Sequence, residues 1–195
     1  PSIAAEQMEE AEDLLVKAWT TDNLDFKGKY WQASFPMVRP RPYQKPHPPL
    51  ARACQQDESI IEMAKIGRPV LLRGGSINVT GEKIRLYRDT MAASGFSEEA
   101  VEKSLDQIWV WREMHVAETD GQALDEFLPA HLQAYLKMEE FRQEWNPKDA
   151  SMSVQGPPMD KSGYGRSPNP SASENLVGSP SRVAEQVALM RDVGV

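Results

Sequence analysis

At 195 residues, 40% hydrophobic and 26% charged, the chain has the make-up of a globular protein large enough to bury a core. No run reaches the ~18 apolar residues of a membrane helix, and the first residues lack a signal peptide's basic flank and apolar centre. The net charge of -7 disfavours a nucleic-acid partner, and the single Cys54 excludes an internal disulfide and a multi-cysteine metal site. A cytoplasmic location is expected.

Residues 5–20 have the spacing of an amphipathic helix, with Met8, Ala11, Leu15, Ala18 and Trp19 on one side. Glu9, Glu10, Glu12 and Asp13 read as its solvated face. Phe26 to Phe35 alternates around Gly28 as a short hairpin would, its aromatic residues forming a packing plug rather than a stacking platform. Pro40 to Leu50 holds five prolines in eleven residues, so it reads as a stiff, extended ramp. After it comes a short strand over Leu50–Cys54. The polar Gln55-Gln56-Asp57-Glu58-Ser59 then opens a helix that continues over Ser59–Lys65 and stops at Gly67.

Pro69–Leu72 is a second apolar strand, followed by the turn Arg73-Gly74-Gly75. Helices are expected over Glu82–Ala93, with Gly95 as the stop, and over Glu98–Leu105. Ile108–Thr119 reads as one long strand, with Ile108, Val110, Met114 and Val116 on one face and Trp109, Trp111, Glu113 and His115 on the other. Asp120-Gly121 is a turn signal, and 122–142 a helix broken before Pro129. The stretch 146–173, rich in proline, glycine and serine, reads as a long insertion loop. The last helix, Ser181–Asp192, follows an N-cap serine and an N1 proline, Ser179-Pro180. Short strands alternating with helices predict a parallel α/β architecture with three visible strands, too few to close a barrel.

In such folds ligands gather beyond the strands' carboxyl ends. The stretch Cys54-Gln55-Gln56-Asp57-Glu58-Ser59 is therefore the leading candidate, because a helix start offers free N–H groups, a hydroxyl and a favourable dipole to an anion. Ser59 serving only its own helix start is the alternative. Two glycines at Gly74-Gly75 allow close backbone approach, and Arg73 could pair with a phosphate; a simple turn is the plainer reading. His47, His115 and His131 have no metal-ligand spacing. His115 with Glu113 could line a lumen or, more plainly, face a helix layer.

Five pieces carry a family resemblance. Phe26-Lys27-Gly28-Lys29-Tyr30-Trp31 resembles an F-x-G-K-Y-Y/W turn, and Pro40–Leu50 a P-R-P-x-Q-x-P-H-P-P-I ramp. Glu58-Ser59 through Ala64, Gly67 and Pro69 resembles E-S-x-x-x-x-A-x-x-G-x-P. Val116-Ala117-Glu118-Thr119 and Gly178-Ser179-Pro180 with Val183-Ala184 complete the order. Together they resemble the bacterial luciferase-like flavin-dependent monooxygenases.

That resemblance implies a (β/α)8 barrel of which residues 1–195 are one incomplete domain from its later part, with the flavin-ring and substrate pocket largely on earlier strands. Val195 would then begin the next strand. It implies an enzyme that uses reduced FMN, supplied by a separate flavin reductase, and oxygen on a small-molecule substrate, and a homo-oligomeric assembly. A deazaflavin-dependent oxidoreductase and a non-catalytic flavin-binding barrel are the alternatives. Cofactor contacts are expected from Cys54, Gln55, Gln56, Asp57, Ser59 and Gly74, the FMN phosphate lying nearest Ser59. Gln55-Gln56-Asp57 departs from the small polar residues usual there, and Asp57 would repel a phosphate unless it points away or caps the helix. No catalytic residue is assigned.

Overall fold

A computed structural model describes residues 2–73, 75–145 and 175–195. Gly74 and the expected insertion loop at 146–173 lie outside the described residues. Two compact units divide the chain, Pro1–Leu50 and Ala51–Val195.

In the first unit, α1 (Ser2–Thr20) precedes an antiparallel hairpin of β1 (Leu24–Lys27) and β2 (Gln32–Phe35), with Leu24 opposite Phe35 and Lys27 opposite Gln32. Alternation buries Leu24 and Phe26 and leaves Asp25 and Lys27 outside. The acidic face of α1 is only partly solvated. Glu6 accepts hydrogen bonds from Lys29 Nζ (2.7 Å) and Tyr30 Oη (2.6 Å), and Glu10 is held by the hairpin turn. The proline segment has neither helix nor strand, but it bends repeatedly over 43–47 instead of running straight. His47 lies with its ring centroid 6.2 Å from that of Trp19.

In the second unit, β3 (Arg52–Cys54), β4 (Val70–Arg73) and β5 (Trp109–Trp111) form a parallel sheet in the order β3-β4-β5. The register sets Cys54 beside Leu72, and Leu72 beside Val110. These three residues face α2 (Asp57–Lys65), α3 (Ile77–Ala93) and α4 (Glu98–Leu105), which supply Ile60, Met63, Ala64, Ile84, Tyr87, Met91 and Val101 to one core. Tyr87 is fully buried, and its hydroxyl donates to the Arg68 carbonyl at 3.0 Å, so the core carries no unpaired phenol. Gly67 closes α2 in a Schellman pair: Arg68 N–H reaches Met63 O and Gly67 N–H reaches Ala64 O.

Three expectations are corrected here. The long strand is two: β5 ends at Trp111 and β6 (Met114–Val116) pairs in parallel with β7 (Leu176–Gly178), a strand too short for its alternation to be read. The break falls at Arg112-Glu113, whose side chains turn to α3 and to α5 (Asp120–Trp145). Met114 and Val116 are consequently exposed rather than continuing the partly buried face of Val110. Next, α3 begins five residues early, capped by Ser76, whose hydroxyl accepts from Val79 N–H. Finally, α5 starts at Asp120, where a turn was expected, and runs through Pro129 without a break. Thr119, the last residue of the V-A-E-T piece, accepts from Gln122 N–H at the start of α5. The helix α6 (Pro180–Asp192) is capped by Ser179 as its sequence predicts. The parallel sheets do not close into a barrel among the described residues.

Candidate functional site

Because β3, β4 and β5 run parallel and in register, their carboxyl ends open onto one edge. Gln55-Gln56 follows β3, Gly75-Ser76 follows β4, and Arg112-Glu113 follows β5. The helices α2 and α3 both start at this edge.

The candidate loop is shorter than expected. Asp57, Glu58 and Ser59 already lie in the first turn of α2, and only Gln55 and Gln56 link strand to helix. The first helical bond is Ile60 N–H to Gln56 O at 3.2 Å. The N–H groups of Asp57, Glu58 and Ser59 therefore have no intrahelical acceptor. Gln56 stands at the N-cap in extended conformation and makes no side-chain capping bond, whereas Ser76, Ser97 and Ser179 each cap their helices. Ser59 is half-buried and Asp57 exposed. Cys54 belongs to the core: it is 1% exposed and its thiol donates to Ser59 O at 3.6 Å.

Two basic side chains stand behind this edge, and the sequence singled out neither. Lys83 of α3 is buried, and its Nζ donates to Gln55 O at 2.6 Å. Burial pushes its pKa down, Asp57 opposes that shift and Arg112 adds to it. Arg112 donates through Nη1 to Gly75 O and through Nη2 to Thr80 Oγ1, tying the link between β5 and β6 to the start of α3. The signal for Lys83 was faint, a lysine at the apolar spacing of Ile84 and Tyr87. Arg73, the basic residue the sequence did point to, lies with its guanidinium 4.6 Å above the Trp111 ring.

The histidines are separated. His115 Nε2 lies 2.8 Å from Glu126 Oε2 of α5, so it faces the helix layer. Glu113 does not join it: Glu113 Oε2 lies 2.7 Å from Nδ1 of the buried His131. Those two residues are 18 apart in sequence, and no motif announces the pair. Among the described residues no three His, Cys, Asp or Glu side chains gather as a metal site, and no helix is long and apolar enough to cross a membrane.

A family profile described as luciferase-like monooxygenase matches residues 4–195. The chain belongs to the luciferase-like monooxygenase family. A search of curated proteins finds no match. Among solved structures, this luciferase-like chain is similar to the monooxygenase RslO1 from Streptomyces bottropensis (19% identity, TM-score 0.58, 95% of this chain and 50% of that one). It is similar to the coenzyme F420-dependent tetrahydromethanopterin reductase from Methanopyrus kandleri (13%, TM-score 0.61, 98% and 55%). A third is the FMN-bound oxygenating constituent of 3,6-diketocamphane monooxygenase from Pseudomonas putida (15%, TM-score 0.57, 95% and 53%). At these identities the likeness concerns the fold, the barrel type of this family. The chain spans about half the length of each of these structures.

Proposed function

We propose that this luciferase-like chain holds FMN with the phosphate at the start of α2, and that the protein is a flavin-dependent monooxygenase acting on a small organic molecule. The observation that carries the reading is the uncapped first turn of α2 at the strands' carboxyl edge, with the N–H groups of Asp57, Glu58 and Ser59 left for a ligand. The residues present fit a phosphate ester. Ser59 adds a hydroxyl, the Gln55 and Gln56 amides are donors, and the buried Lys83 ammonium counters the Asp57 carboxylate. Gly74, beside the start of α3, is assigned to the same cofactor on its sequence position alone.

Bound reduced FMN, replenished by a separate reductase, would supply the electrons that split oxygen, one atom entering the substrate and the other leaving as water. The chain's own part is to bind and orient the phosphate end and to present the sheet face bearing Leu71, Trp109 and Trp111. A cytoplasmic, homo-oligomeric enzyme completes the proposal.

The test is an FMN titration, followed by fluorescence quenching, beside a Ser59→Ala variant. Micromolar binding, weakened about tenfold by the substitution (the ~1.4 kcal/mol of one lost hydrogen bond to a charged group), is the expected result. Binding of coenzyme F420 but not of FMN in either redox state would replace the reading with a deazaflavin-dependent oxidoreductase. Binding of neither would leave a non-catalytic protein on this fold.

A further inference from the structure

Among the described residues Lys83 is the only buried lysine or arginine. A core position beside Ile84 and Tyr87 would accept leucine or methionine, and an ammonium placed there costs free energy unless it is partnered. The partner is the carbonyl of Gln55, 2.6 Å away and 28 residues earlier, in the two-residue link between β3 and α2. A planar trans peptide points its C=O and N–H in opposite directions. Pinning the Gln55 carbonyl toward α3 therefore turns the N–H of Gln56 away from Lys83, one residue before the first-turn N–H groups of α2 that have no helical acceptor.

We propose that Lys83 is a positioning residue for the phosphate-holding turn: its ammonium fixes the Gln55–Gln56 peptide and offsets Asp57, so ligand affinity depends on Lys83 keeping its proton. This rests on the reading that a phosphate sits at the start of α2. The charged groups that act on Lys83 are Asp57 of α2 and Arg112 of the β5–β6 link. Burial, with Arg112 adding and Asp57 opposing, leaves the Lys83 pKa below its ordinary 10.5. The ammonium thus loses its proton before an exposed lysine would, and affinity falls as pH rises through that lowered value.

The experiment measures FMN affinity from pH 7 to 10.5 for the wild-type chain, Lys83→Met and Lys83→Arg. Arginine keeps its charge throughout this range, so that variant also reports any titration of FMN itself. The expected result is a wild-type affinity that declines as the pH approaches 10.5, a flat profile for Lys83→Arg, and a roughly tenfold loss at pH 7 for Lys83→Met. A Lys83→Met variant that binds like wild type, or a Lys83→Arg profile that declines as wild type does, would overturn the proposal. Hydrogen exchange of residues 54–60 without ligand separates the two readings. If wild type binds no FMN, the functional reading fails. The positioning role still stands if exchange there accelerates in Lys83→Met and recovers in Lys83→Arg, and it falls if exchange is unchanged.

Discussion

Glu10 looks like one more surface acid, yet it is the residue that ties α1 to the hairpin. Its carboxylate accepts three backbone N–H bonds, from Lys29 (2.9 Å), Tyr30 (2.8 Å) and Trp31 (2.7 Å). Gly28 suits this turn, because a Cβ there would run into the Glu10 carboxylate that the turn holds. Desolvation pushes the carboxyl pKa up, but the three N–H donors outweigh it and hold it below 4.5. A carboxyl lowered on folding stabilises the fold fully above its unfolded value, and that contribution is lost as pH falls through the folded one. Glu10→Gln should therefore lower the melting temperature at pH 7 by roughly 2–4 °C. The difference should shrink as the pH drops below 4.5, and circular dichroism melts at pH 7, 5 and 3 would show it. A gap that persists unchanged at pH 3 would assign the effect to packing. The sequence placed the acid on a helix and the glycine in a turn, but contact between residues 10 and 28–31 is tertiary and has no local signature.

Among the elements, α3 shows most clearly what periodicity can and cannot supply. Its second half was legible from Ile84, Leu86, Tyr87 and Met91, while its first turns carry Asn78, Val79, Thr80 and Gly81, all weak helix formers. Tertiary contacts override that local preference. Ser76 caps the helix, Arg112 bonds Thr80, and Gly81 lies so close to Val193 that a Cβ would come within 2.8 Å of the Val193 Cβ. Propensity alone predicts that Gly81→Ala stabilises a helix by about 1 kcal/mol. In this protein the substitution should destabilise instead, and Val193→Ala in the same chain should recover part of the loss. Urea unfolding of the two single variants and the double variant measures this directly. A stabilised Gly81→Ala would mean that the contact between α3 and the end of α6 relaxes without cost.

Over the whole molecule, the two faces of the β3-β4-β5 sheet differ. One packs on α2 and α3 with Val70, Leu72 and Cys54 nearly sealed, and the other presents Ala53, Leu71, Arg73, Trp109 and Trp111, with Trp109 70% exposed. An apolar face of this kind, on a sheet whose edges are unpaired among the described residues, seeks cover. The 195-residue chain is thus expected to bind a hydrophobic dye such as ANS and to sediment as concentration-dependent species, both effects reduced by Trp109→Lys. A dye-silent monomer would show that the face is satisfied in solution.

The sequence by itself determined what depends on neighbours along the chain. Gly67 and Gly95 stop their helices, Ser179-Pro180 starts one, the β1–β2 hairpin forms around Gly28, and the prolines of 40–50 exclude helix and strand. It also determined the family, because five short motifs keep their order, and it proposed the turn after β3 as a candidate ligand edge. Only the tertiary structure decided where Ile108–Thr119 divides between two sheets, since that break is made by Arg112 and Glu113 finding partners on α3 and α5. It alone brought Lys83 across 28 residues to the Gln55 carbonyl and paired Glu113 with His131. Such contacts depend on which faces meet after folding, and the spacing of residues along one element does not record that.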